Sequence, residues 1–134
     1  MNLLELNVLV LTYMGDSIYE KYVREKLIRD GIGNVNDLQS KSIMYVSAKA
    51  QAKYIQEMID NGMLEDFEKN IVKRARNNRS NSHPKNCDII TYKYATGLEA
   101  LIGYLYLSGN NNRIDEIMNY ILRWLYASIW KKCC

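Results

Sequence analysis

The sequence predicts an all-α fold. There is one proline in 134 residues, long stretches are rich in Leu, Ile, Met, Lys, Glu and Ala, and apolar residues recur at spacings of three and four with few β-branched alternations. With 48% hydrophobic residues, a chain of this length suits one domain, 1–134, built round one core.

The elements follow from the N-terminus. From Leu3 to Arg29 the pattern predicts a long helix with Val10, Leu11, Met14, Ile18 and Tyr22 on one broad face and Leu6, Leu9, Tyr13 and Leu27 on the other. Such a helix is apolar nearly all round and is expected to be largely buried, until Gly31 and Gly33 stop it. Gly15 inside it marks a bend or a close packing contact. Asn36 or Asp37 can cap a short helix through Tyr45, and Ser47 can start another that runs to about Asp60 and ends at Asn61-Gly62. A further helix, Leu64 to Arg76, becomes basic toward its end, where cations suit the negative pole of the helix dipole. Asn77 to Asn86, with Ser80, Ser82 and Pro84, reads as an exposed loop. Helical spacing resumes from about Asp88 to Leu107 and, after Gly109-Asn110-Asn111-Asn112, from Arg113 to Trp130. In this last helix the stripe of Trp124, Tyr126 and Trp130 with Ile121 and Leu125 suits a core or a subunit contact better than a base-stacking platform.

Several function classes drop out. No apolar run approaches the roughly 20 residues of a membrane-spanning helix, and Met1-Asn2-Leu3-Leu4-Glu5 lacks the features of a signal peptide, so a cytoplasmic location is expected. Three cysteines, two of them the adjacent Cys133 and Cys134, do not suggest a disulfide framework. A single histidine, His83, supports neither a zinc site nor a Cys/His nucleophile and is given no role.

Most of the 15 acidic residues sit among lysines and arginines, as on a solvated helix face. Asp16 and Glu99 do not, since both lie in segments that are otherwise nearly uncharged. Placing an ionised carboxylate in such surroundings costs several kcal/mol unless a cation, a metal or strong hydrogen bonds compensate. Two arrangements answer that cost. Each acid can pair with a lysine, an arginine or a backbone group, or the two can meet across a helix pair, with Gly15 and Gly97 permitting close approach, as an oxygen-rich site suited to Mg²⁺. Glu20, about 40° round the helix from Asp16, reaches the same pocket, although a solvated face is its ordinary place.

The chain also resembles a known family. Tyr13-Met14-Gly15-Asp16-Ser17-Ile18 is similar to the ribonuclease III signature, in which a Leu-Gly-Asp-Ala-Val type sequence carries a metal-binding aspartate, and Glu99-Ala100-Leu101-Ile102-Gly103 with Tyr106-Leu107 is similar to its second acidic motif. Val46-Ser47-Ala48-Lys49-Ala50-Gln51-Ala52, Lys73-Arg74-Ala75-Arg76-Asn77, Pro84-Lys85-Asn86 and Thr91-Tyr92-Lys93-Tyr94-Ala95-Thr96 resemble the Mini-III branch. Ordinary ribonuclease III carries two further acids, where this chain has Thr12 and Thr96, and a separate double-stranded-RNA-binding domain, for which this chain leaves no room. Mini-III proteins share the reduced acidic set.

The resemblance implies the ribonuclease III catalytic-domain fold, a homodimer, and Mg²⁺-dependent hydrolysis of double-stranded RNA that leaves a 5′ phosphate and a 3′ hydroxyl. Asp16 and Glu99 would be the catalytic metal ligands. The implied task is maturation of precursor 23S ribosomal RNA, with the help of a ribosomal protein left open. Separately, the basic residues Lys69, Lys73, Arg74, Arg76, Arg79 and Lys85, with no acid among them, suit the phosphates of an A-form duplex. The RNA-binding set expected is Lys73, Arg74, Arg76, Arg79 and Lys85. Two other readings stay open from the residues: a non-catalytic double-stranded-RNA-binding protein of the same fold, and a helical protein-interaction module whose basic loop meets an acidic partner.

Overall fold

A computed structural model describes residues 2–79 and 85–133, with side chains described as far as Arg123. Among these residues there are six α-helices and no strand: α1 Val8–Arg29, α2 Val35–Val46, α3 Ala48–Asp60, α4 Asp66–Arg76, α5 Ile89–Leu107 and α6 Asn111–Cys133. A short 3₁₀ turn, Leu3–Glu5, precedes them. The stretch Ser80, Ser82, His83 and Pro84 of the expected loop, and the side chains of Trp124, Leu125, Tyr126 and Trp130, lie outside what is described.

The continuous helix expected from Leu3 is broken in two. Asn2 accepts from the Leu4 N–H and Asn7 from the Leu9 N–H at 2.9 Å, so one asparagine caps the 3₁₀ turn and the other starts α1 afresh. At the far end Gly31, with φ +95°, reverses the chain while the Ile32 N–H reaches back to the Leu27 carbonyl, and α3 ends the same way at Gly62. Asn34, rather than Asn36 or Asp37, caps α2, and Ser47 caps α3 as its hydroxyl predicts. α4 begins with a reciprocal capping box between Glu65 and Glu68.

α5 is the central element, with α1, α3, α4 and α6 packed round it. Its buried run from Ala95 to Leu105, interrupted by the partly exposed Glu99 and Tyr104, explains why its sequence is apolar on all sides. α1 differs from expectation. It buries Val8, Leu11, Gly15, Ile18, Tyr19, Val23 and Leu27, but Leu9, Val10 and Tyr13 are exposed, Tyr13 by 83%. The helix is apolar on both sides because one side faces the core and the other forms an uncovered apolar surface.

Two long-range devices fix the remaining helices. The last four carbonyls of α2, which have no partner inside the helix, are met by the Ser47 N–H on Ile43, the Tyr54 hydroxyl on Met44, the Tyr19 hydroxyl on Tyr45 at 2.6 Å and the Gln51 side-chain amide on Val46. Between α4 and α6, Arg113 grips Glu68 with two bonds of 2.8 Å and also donates to the Met63 carbonyl at 2.6 Å and to Glu116. Glu68 is fully buried and thus departs from the solvated-face expectation for acids among lysines. No helix among the described residues is long and apolar enough to cross a membrane.

Candidate active site

The site is built where α1 and α5 cross. A Cβ added to Gly15 would lie 1.6 Å from the Glu99 carbonyl oxygen, and one added to Gly103 would lie 1.9 Å from the Leu11 carbonyl oxygen. The two helices therefore touch backbone to backbone. Gly97, expected to open this approach, faces α4 instead, where a Cβ would meet Val72 Cγ1 at 2.8 Å. The partner of Gly15 is Gly103, one turn beyond Glu99.

Because Asp16 follows Gly15 and Glu99 supplies the carbonyl that Gly15 meets, the crossing brings the two carboxyl groups into hydrogen-bond contact. Burial pushes the Glu99 carboxyl up to about 9; the Asp16 charge, the hydrogen bond with Asp16 and the Glu20 charge push the same way. None of the groups that push on Glu99 is a lysine or an arginine. Of the two arrangements open from the sequence, these acids meet each other.

The surrounding acids and hydroxyls are committed elsewhere. Glu20, near enough to raise Glu99, pairs with Arg24 at 3.1 Å on an exposed part of α1. Thr12 donates to the Val8 carbonyl at 3.2 Å and lies 3.5 Å from the Thr96 carbonyl of α5, and Thr96 donates to the Tyr92 carbonyl at 2.8 Å, so both hydroxyls have backbone partners. Among the described residues no group of three His, Cys, Asp or Glu side chains is arranged to hold a metal. The donor set is thus two carboxyl groups, hard oxygen donors that fall short of a full shell. That fits Mg²⁺, which commonly takes one or two carboxylates and completes its shell with water and substrate phosphate.

The basic residues approach the site through α4. Lys73, Arg74 and Arg76 form its last turn, and Val72 packs on Gly97 of α5. Lys73, Arg79 and Lys85 are exposed. Arg74 is turned to the N-terminal segment, where it donates to the Leu6 carbonyl. Arg76 donates to the Tyr94 hydroxyl at 2.9 Å with its guanidinium 5.3 Å from that ring's centre. Sequence reasoning quoted Tyr94 only within the Thr91-Tyr92-Lys93-Tyr94-Ala95-Thr96 stretch that resembles the Mini-III branch and gave it no role of its own.

A model of the ribonuclease III domain matches residues 9–110, which takes in α1 to α5 and both carboxylates. This chain belongs to the ribonuclease III family. It is 43% identical over 119 residues to the Mini-ribonuclease 3 of Enterococcus faecalis, which covers 89% of this chain and 90% of that protein. Against the Mini-ribonuclease 3 of Brevibacillus brevis it is 49% identical over 112 residues, 84% of this chain and 82% of the relative. A crystal structure of a Fusobacterium nucleatum protein superposes with a TM-score of 0.79 at 32% identity, covering 89% of this chain and 93% of that one. The ribonuclease III family acts on double-stranded RNA and is generally metal-dependent.

Proposed function

We propose that this ribonuclease III family member is an endoribonuclease that cuts double-stranded RNA with Mg²⁺ held between Asp16 and Glu99, working as a homodimer on precursor 23S ribosomal RNA in the cytoplasm. The observation that carries the reading is the contact between two carboxyl groups, with no lysine or arginine among the groups that push on Glu99. Bound Mg²⁺ supplies the Lewis acidity that hydrolysis of a phosphodiester by water needs at neutral pH. Asp16 and Glu99 would anchor it, each as a carboxylate, so Glu99 would hold it in its deprotonated form. Thr12 and Thr96 add no charge, so the chain offers two anionic ligands and leaves the remaining positions to water and the RNA phosphate.

Lys73, Arg76, Arg79 and Lys85 neutralise backbone phosphates, which senses duplex shape and not base sequence. Arg74 joins them only with what the Leu6 carbonyl leaves uncommitted. A duplex has two strands to cut, and two-fold pairing supplies two sites. The exposed Leu9, Val10 and Tyr13, on the helix that carries Asp16, support such pairing.

The test is to incubate purified protein with a labelled RNA duplex in Mg²⁺ or in chelator. Discrete products with Mg²⁺ alone are expected. Duplex binding without cleavage under both conditions would make the chain a binder of the same fold, and no preference for duplex RNA would remove the nucleic-acid reading.

A further inference from the structure

We propose that Tyr94 is a positioning residue that holds Arg76 ready for a backbone phosphate of the RNA, so that the two side chains bind as one unit. This rests on the reading of the basic segment as the RNA contact.

Arg76 is the last residue of α4, half-buried, and Tyr94 is half-buried on α5, packed against the edge of the core. The Arg76 Nη1–H donates to the Tyr94 hydroxyl at 2.9 Å, and the guanidinium carbon stands 5.3 Å from the ring centre. A hydrogen bond and a cation–π contact thus fix one arginine to a ring whose own position the core sets. The side chain of an exposed arginine surrenders rotamer freedom when it grips a phosphate, and one already fixed surrenders less. The guanidinium has five N–H donors, so one bond to Tyr94 leaves the fork able to take two phosphate oxygens side by side. Lysine could not do this, because an ammonium is a point charge without a planar edge.

Tyr94 stands on α5, the helix that also carries Glu99, so the arginine is referenced to that helix although it belongs to α4.

The experiment measures duplex RNA affinity in chelator, so that no strand is cut, for the parent, Tyr94→Phe, Arg76→Ala and the double variant at several salt concentrations, with thermal unfolding of each. Tyr94→Phe keeps the ring and the charge. It should weaken binding roughly three- to tenfold, the net worth of an ordinary hydrogen bond, without changing the salt slope. In the Arg76→Ala background the same change should do nothing more, because there is no arginine left to position. With Mg²⁺ the loss should fall chiefly on KM. Arg76→Lys, which leaves Tyr94 untouched, should lose about as much as Tyr94→Phe with the full salt slope.

Equal losses from Tyr94→Phe in both backgrounds, or a lower unfolding temperature with unchanged affinity, would make the pair a structural staple between α4 and α5 and overturn the inference. Parent-like affinity for Arg76→Lys would do the same. If Arg76→Ala itself binds RNA like the parent, with an unchanged salt slope, the basic segment is not the RNA contact, and the broader reading fails along with this one.

Discussion

Two carboxyl groups set against the core are treated in opposite ways. Glu68 lies fully buried at the start of α4 and meets a bidentate arginine from α6, with the capping box holding its other side. Arg113 in turn is held charged by that contact, its proton bound more tightly than in water. Glu99 lies on α5, partly exposed, and meets another acid. The first group carries its counter-charge within the chain. The second has a like charge beside it instead, and that difference is what sets apart the residue that builds the fold from the one we propose as a metal ligand.

The largest contrast is between function and stability. Asp16→Asn should abolish cleavage while leaving duplex binding and the unfolding temperature near those of the parent, because it keeps the side chain's shape and removes the charge that holds Mg²⁺. Cleavage close to the parent's at saturating Mg²⁺ by this folded variant would remove Asp16 from the site. Arg113→Ala should do the reverse. It strands a buried carboxylate, a change that costs about 3–5 kcal/mol, measurable by denaturant unfolding, and any protein that remains folded should still cut RNA. A loss below about 1 kcal/mol would mean that Glu68 finds water or another partner.

A third test uses pH. The Glu99 carboxyl titrates near 9 in the fold and near 4.5 when exposed, so between those values the folded chain holds one more proton than the unfolded chain. Stability in chelator should then be fullest below about pH 4.5 and decline as pH rises toward 9, a slope that Glu99→Gln should flatten. Mg²⁺ must displace that proton, so its affinity should strengthen by up to about tenfold per pH unit below the same value. Calorimetry across pH 6 to 8, about two units, would check this, and a pH-independent affinity would mean that Glu99 is already ionised. The smallest effect belongs to the basic segment. Arg76→Ala with Arg79→Ala should weaken duplex binding and lower its salt slope by on the order of one unit, equally for two unrelated sequences. Unchanged affinity and slope would move the RNA groove elsewhere.

The two acids of the site were legible because each stands alone in uncharged sequence, and a charge in such a setting demands an explanation that composition supplies. Helix order was legible for the same kind of reason, from spacing and caps. Contacts between distant helices were not. Gly97 is nearer to Glu99 in sequence than Gly103 is, yet six residues separate the two glycines by about 120° round α5, and only the packing decides which side meets α1. Glu68 looked solvated because its partner is 45 residues away. Arg74 looked like its basic neighbours until the N-terminal segment folded across it. The outward side of α1 read as core because an apolar residue facing a partner and one facing the interior have the same composition.

The contact between Gly15 and Gly103 has an evolutionary consequence. When a large side chain crowds a protein interior, a smaller neighbour at some other position can often make room, so the sequence drifts by paired changes. Here the atoms that a new methyl group would strike are the carbonyls of Glu99 and Leu11, which every amino acid possesses. No second substitution can shrink them. These two positions are closed to compensation by a smaller neighbour, and the separation of α1 from α5, on which the spacing of the two acids depends, is set by backbone atoms and not by the side chains of the core.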